Sequence, residues 1–232
     1  MGDVTVLAVC GLKREAKMVA RPGVATLASG GDIATLGARI KTALTPQIKA
    51  IISIGVAGAL DATLEVGDAV VAADIAPLPP GGGGTVDQAW ADRLAFALPT
   101  ARRGAIFGSS HMVVDAAAKA QLYRQSAALC VDMESHIAAE AAAAHGLAFA
   151  ALRFISDDAA RALPSAAQAG MKPDGGMDIL AVLKSIAADP RQLPALIRTG
   201  MEAEAAFRAL LRSGRRLGPT LGFADIEGLH LP

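Results

Sequence analysis

Ala50-Ile51-Ile52-Ser53-Ile54-Gly55-Val56-Ala57-Gly58-Ala59-Leu60 opens as an apolar run without alternation and then meets two glycines. A strand with one solvated face alternates apolar and polar residues, whereas a run apolar on both faces fits a parallel or mixed sheet covered on both sides. The run predicts a strand over 50–55, with Gly55 and Gly58 letting the backbone turn tightly behind it. That turn has two readings. It is a plain strand exit, or a place where bare backbone amides approach an oxyanion, a ribose or a base edge.

On either side the same grammar repeats. Apolar, β-rich runs at 4–10, 24–29, 67–75, 104–108, 128–132 and 148–155 predict further strands. Between them, helical periodicity covers 13–20, 32–44, 86–97, 115–126, 134–145, 176–187 and 192–213, with Asp32 and Asp115 placed as N-caps and Pro99, Pro164 and Pro190 falling between elements. Strands alternating with helices define an α/β domain around a mainly parallel or mixed sheet. The expected organisation is one catalytic domain over 1–213 and an irregular tail over 214–232 that packs on its own domain or on a second subunit. Pro77-Leu78-Pro79-Pro80 and the four glycines 81–84 predict a mobile loop, either a flap over a pocket or a surface insertion.

Composition removes several classes of function. The 232 residues carry 22 basic and 22 acidic side chains, with no run of five like charges, so the electrostatic footprint of a nucleic-acid binder is missing. No stretch of 18 residues escapes charge or turn residues, which excludes a transmembrane helix. Neither a basic leader region nor a long apolar segment follows Met1, so a cytoplasmic protein is expected. Cys10 and Cys130 sit inside apolar strands, as buried free thiols do, and no disulfide framework or metal site follows from them. Walker A and G-x-G-x-x-G patterns are both missing, which takes the main support from P-loop and dinucleotide readings.

In open α/β sheets ligands gather beyond the carboxyl ends of strands. There the chain places Gly11-Leu12-Lys13-Arg14-Glu15, Gly55–Ala59, Val131-Asp132-Met133-Glu134-Ser135 and Arg153-Phe154-Ile155-Ser156-Asp157-Asp158. Taken singly, Glu134 opens a helix where the dipole favours a carboxylate, Asp157 suits a cap, and Glu15 suits a solvated first turn. Three carboxylates at the same kind of place point instead to acid/base work or to recognition of hydroxyls.

Gly11-x-x-x-Glu15, Ile54–Leu60 with Leu64-x-Val66-Gly67-Asp68-x-Val70-Val71, Val131–Glu134 and Arg153-x-Ile155-Ser156-Asp157 together resemble the nucleoside phosphorylase and nucleosidase superfamily, in order and spacing, over about residues 4–160. Within it, Val9–Ala16, Asp132–His136, Arg161–Pro164 and Gln192–Leu196 look most like the bacterial hopanoid-associated phosphorylases. The resemblance implies a three-layer α/β/α fold with a mixed, partly barrel-like central sheet. It implies cleavage of the N-glycosidic bond of a purine nucleoside, with adenine leaving adenosylhopane in hopanoid lipid biosynthesis. A nucleosidase acting on methylthioadenosine or adenosylhomocysteine, and a purine-binding module without turnover, stand as alternatives.

Carried onto this chain, the resemblance makes Asp157 the acid at the purine, Glu134 the acceptor of ribose hydroxyls with Met133 beside it, and Glu15 the residue that orients an attacking water. Arg153 and Ser156 become supports around Asp157, Gly55, Val56, Ala57 and Gly58 a backbone lining of the substrate, and Ser110-His111-Met112-Val113 a wall beside the base. Phosphate-using relatives carry arginines at the positions of Glu15 and Ser53 and a serine at Val56, so their anion site is dismantled here. Water is the expected nucleophile, phosphate the other possible co-substrate, with Lys13, Arg14, Ser109 and Ser110 as a different place to hold it. No cofactor or metal is implied. To work as an acid at neutral pH, Asp157 needs dry surroundings near Phe154 and Ile155. A water-insoluble substrate further implies a homodimer with weak, reversible membrane contact.

Overall fold

In the computed structural model of the chain, residues 5–76, 85–165, 167 and 179–224 are described. The proline- and glycine-rich loop at 77–84, the first residues of the helix expected from 176 and the end of the tail lie outside them. The strands are β1 (Val6–Cys10), β2 (Val24–Ala28), β3 (Ala50–Ala59), β4 (Ala69–Ala76), β5 (Arg102–Gly108), β6 (Cys130–Asp132) and β7 (Ala148–Asp157). Interleaved with them run α1 (Lys13–Val19), α2 (Ile33–Ala43), α3 (Gln88–Ala97), α4 (Ala116–Ser126), α5 (Ser135–Ala144), α6 (Ile179–Ala188) and α7 (Leu193–Arg216). Asp32 caps α2 by accepting from the Thr35 amide, while Asp115 occupies the N-cap of α4 without a side-chain cap bond.

All seven strands join one sheet in the order β2-β1-β3-β6-β5-β4-β7, and β7 pairs again with β3. The sheet therefore closes into a five-stranded mixed barrel, β3-β6-β5-β4-β7, with β1 and β2 as a parallel extension beyond β3. Closure depends on two long strands. The first half of β3 lies between β1 and β7, and its second half turns to pair antiparallel with β6, Gly58 opposite Val131. Middle residues of β7 pair antiparallel with β4, Phe154 opposite Ala69. Gly55 and Gly58 consequently lie inside a ten-residue strand and do not make the expected turn after residue 55.

The helices packed around the sheet explain why β1 and the first half of β3 read as apolar runs without alternation: every residue from Val6 to Cys10 and from Ala50 to Ile54 is buried. α7 runs three residues further than its periodicity predicts, to Arg216. After it the chain folds back, so that Leu217 and Leu221 enter the core, the indole of Trp90 donates to the Leu221 carbonyl at 2.9 Å, and Phe223 lies against the same indole at 5.1 Å between ring centroids. Residues 217–224 are thus docked on the domain. Cys10 and Cys130 are free, buried thiols. No helix among the described residues is long and apolar enough to cross a membrane.

Candidate active site

The carboxyl end of β1, the middle of β3 and the ends of β6 and β7 meet around a cavity of about 230 Å³. Glu15 stands in the first turn of α1 and is almost wholly buried, at 1% exposure. One carboxylate oxygen accepts from the amide of Leu12 at 2.7 Å, closing the start of its own helix, and the other accepts from the amide of Val56 in β3, also at 2.7 Å. Gly55 makes this reach possible. A Cβ there would lie 2.7 Å from Glu15 Oε1 and 2.9 Å from Arg153 Nη1, closer than real side chains approach. The glycine is used for space, with an ordinary strand backbone.

Glu134 sits between β6 and α5 and accepts from the Ser29 hydroxyl at 2.8 Å, with an Arg153 nitrogen 3.7 Å from its other oxygen. The carboxylates of Glu15 and Glu134 converge on Gly11, where a Cβ would stand 3.2 Å from one and 3.3 Å from the other. Behind them Asp132 takes Arg153 Nε at 2.5 Å and ties itself to Ser135 through both amide and hydroxyl. Arg153 is wholly buried, donates also to the Ser53 hydroxyl at 2.5 Å, and leaves Nη1 without a hydrogen-bond partner among the described residues.

One guanidinium therefore faces three buried carboxylates, and the electrostatics follow. Burial pushes the Glu15 carboxyl up to about 7, with Glu134 adding to the rise and the two backbone amides and Arg153 opposing it. Glu134 is also raised, by burial first, with Arg153 working against the shift, Asp132 adding to it and the Ser29 hydroxyl opposing it. Burial works against the Arg153 cation, yet Asp132, Glu134 and Glu15 outweigh it and hold the guanidinium above its ordinary value.

At the opposite end of the cavity Asp157 closes β7. Its Oδ1 accepts from the Ser156 hydroxyl at 2.9 Å, and its Oδ2 meets the ammonium of Lys119 at 2.5 Å. Lys119 comes from α4, is wholly buried, and also donates to the carbonyl of Asp158 at 2.7 Å and, at 3.3 Å, to that of Arg161. A dry site near Phe154 and Ile155 is what the sequence predicts for Asp157; the residue is buried, and a buried cation lies against it. Gly58 again supplies space, since a Cβ would lie 3.0 Å from Asp157 Oδ2.

Of the expected site residues, Glu15, Val56, Gly58, Met112, Val113, Met133, Glu134, Ser156 and Asp157 line the cavity. Gly55, Ala57 and Arg153 do not. Gly55 instead leaves room for Glu15, and Ala57 is buried in the core. Arg153 serves the glutamate end and not Asp157, because four strand steps separate the two by about 13 Å. Arg14 is likewise turned away: it pairs with Glu204 at 2.6 Å and lies over the Phe207 ring, so it is no anion ligand for the cavity. Among the described residues that line the cavity none is a lysine or an arginine.

Lys119 escaped the sequence reading. Its only local signal is a lysine three residues before Leu122 on an alanine-rich helix, and its partner lies 38 positions away.

No curated protein matches the sequence. Solved structures do resemble the fold. A 5′-methylthioadenosine/S-adenosylhomocysteine nucleosidase of Helicobacter pylori superposes with a TM-score of 0.60 at 16% identity, over 95% of this chain and 99% of that one. S-adenosylhomocysteine nucleosidase from Streptococcus pyogenes, solved with 5-methylthiotubericidin, gives 0.57 at 15% identity, over 94% and 99% of the two chains. A futalosine hydrolase mutant of H. pylori gives 0.54 at 17%, over 67% and 91%. The phosphorylase superfamily model matches residues 19–188, most of the chain and all seven strands but the first. The chain belongs to the phosphorylase superfamily of enzymes.

Proposed function

We propose that the protein cleaves the N-glycosidic bond of a purine nucleoside, with water as the nucleophile. The observation that carries the reading is the pair of opposed cavity ends, buried glutamates at one and Asp157 at the other. Breaking the bond puts positive charge on the sugar and negative charge on the departing base. Glu134, with Met133 beside it, suits the ribose, where a buried carboxylate accepts from hydroxyls and stabilises the cationic ring. Asp157 suits the purine, whose ring nitrogen and exocyclic amine need a partner as the bond opens. Glu15, poised near neutrality, is placed to take a proton from an attacking water.

Water rather than phosphate is favoured by the carboxylates that border the cavity and by the lack of a lysine or arginine among its described lining residues. The purine-nucleoside substrates named for the solved nucleosidases support the substrate class.

For the finer assignment, we propose adenosylhopane as the substrate, on the motifs shared with the hopanoid-associated group. An apolar stripe on α7, Leu193, Ile197 and Met201, stands exposed, as does Leu183 on α6, and contact with a lipid surface or a second copy of the chain requires such exposure. The deciding experiment measures adenine release from adenosylhopane and from methylthioadenosine, each with and without phosphate. Release from adenosylhopane in phosphate-free buffer is expected. A rate that rises from zero with added phosphate overturns the water reading, and release from methylthioadenosine alone overturns the lipid one. Light scattering is expected to show a dimer at micromolar concentration, and co-sedimentation to show weak binding to liposomes.

A further inference from the structure

The contact between Lys119 and Asp157 raises a chemical difficulty for any reading in which Asp157 alone protonates the leaving group. An ammonium donating to Oδ2 at 2.5 Å makes that oxygen the acceptor, and a carboxylate that accepts has no proton to give. Lys119 does have one. It lies at 0% exposure, its acceptors are Asp157 Oδ2 and the carbonyls of Asp158 and Arg161, and Asp157 is the one of these that faces the cavity. The two carbonyls hold the ammonium in place but cannot accept its proton covalently at any reasonable cost, which leaves Asp157 Oδ2 as the outlet.

We infer that Lys119 and Asp157 act as a two-residue acid, in which the proton delivered to the departing base starts on the lysine. This inference rests on the functional reading above. As the C1′–N9 bond breaks, its electron pair goes to the purine and raises the basicity of the ring nitrogen facing Asp157. A proton then passes from Lys119 Nζ to Asp157 Oδ2 and on to that nitrogen, leaving a neutral amine, a carboxylate and a neutral base. Water adds its oxygen to C1′ and gives a proton to Glu15. Once the products leave, Glu15 releases that proton to solvent and Lys119 takes one back, so the cycle balances.

Lys119 is a positioning residue as well as a proton source, and the two roles separate experimentally. A guanidinium keeps the charge opposite Asp157 but is not deprotonated in proteins, whereas an ammonium can give its proton up. A second lever is the leaving group: 4-nitrophenolate departs without being protonated, so its riboside needs the glutamate end of the cavity and not the acid.

The experiment compares the wild type, Lys119→Arg and Lys119→Met on the purine nucleoside that the wild type cleaves fastest and on 4-nitrophenyl riboside, with adenine affinity and melting temperature measured alongside. Lys119→Arg is expected to keep adenine affinity within about threefold and to lose at least about a hundredfold in kcat on the purine nucleoside, with a far smaller loss on the nitrophenyl riboside. Lys119→Met should show the same split between substrates. Purine release by Lys119→Arg at close to the wild-type rate overturns the relay, because charge alone then suffices. Equal losses on both substrates overturn it too, since the lysine would then serve only the fold. Should Lys119→Met not fold, Lys119→Arg decides the matter alone, as it retains the ion pair. A wild type that releases purine from no nucleoside removes the functional reading itself, an outcome separate from all of these.

Discussion

At the Glu15 and Glu134 end of the cavity one guanidinium faces three buried carboxylates, whereas at the Asp157 end one ammonium faces one. In the first, burial raises both glutamate carboxyls, Glu15 to about 7, and one shared guanidinium opposes the rise without cancelling it. The second is balanced as a pair, and its carboxylate is held in place by Lys119 and Ser156. Two ends of one small cavity thus surround the same kind of side chain with different partners. Burial raises the glutamates and their single shared cation only opposes the rise, while Asp157 has a cation of its own.

The largest effects should come from neutralising each end in turn. Asp157→Asn keeps size and some hydrogen bonding but takes no part in proton transfer, so kcat on purine nucleosides should fall by at least about a hundredfold, roughly 3 kcal/mol of barrier, while adenine binding changes far less. Glu134→Gln should cost about as much on purine nucleosides and on 4-nitrophenyl riboside alike, because the cationic sugar is common to both. Steady-state kinetics on the two substrates checks the pair. Equal behaviour of the two variants would erase the distinction between the ends.

Next in size is the pH response of the glutamate end. With Glu15 raised to about 7, kcat/KM should fall about tenfold per pH unit on the acid side of that value, and Glu15→Gln should be slow and lack this inflection. Stability carries the same signature with the opposite sense. A folded carboxyl held above its unfolded value near 4.5 stabilises the fold below about pH 4.5, and that contribution is lost as pH rises through 7, about 3 kcal/mol in all. Melting temperatures between pH 5 and 8 should therefore shift by several degrees in favour of Glu15→Gln relative to the wild type.

Smaller again are the glycines that make room for the carboxylates. Gly55→Ala forces a methyl against Glu15 and Arg153 together and should lower stability by about 1–3 kcal/mol in denaturant titration. Gly58→Ala meets only Asp157 Oδ2, at 3.0 Å, and should cost less. Smallest is Asp158→Asn, which loses a partly exposed ion pair with Arg161 but leaves the backbone carbonyl in place for Lys119; kcat should change by less than about twofold and stability by less than about 1 kcal/mol.

Periodicity made the element list legible, since most strands hold an apolar run and most helices an alanine-rich repeat. Less legible was where β3 and β7 end. Gly55 and Gly58 look like punctuation when only their neighbours are considered, and their purpose depends on Glu15, Arg153 and Asp157, which arrive from distant parts of the chain. The three carboxylates at the cavity stood out because each comes at or beyond the end of an apolar run. Lys119 did not, because it lies in mid-helix. Arg153 could be recognised as a site residue but not assigned to an end: it and Asp157 share β7, where Ala57 pairs with Ile155 and Gly58 with Asp157, so that Ser156 is an extra residue and the strand's regular alternation breaks between them.

The seam between β3 and β7 also governs the order in which the molecule can assemble. Its partners, Ala50 with Ala148 at one end and Gly58 with Asp157 at the other, lie about a hundred positions apart along the chain. Closing so long a loop has an entropic cost that local contacts in β1, α1 and β2 do not incur, so the N-terminal parallel unit can form early while the barrel waits for its last strand. Until β7 docks, Arg153 is absent from among the glutamates and Asp157 from the far end of the cavity. A refolding chain should thus regain much of its helical signal before any turnover, and catalysis should return in the slow phase in which the barrel closes.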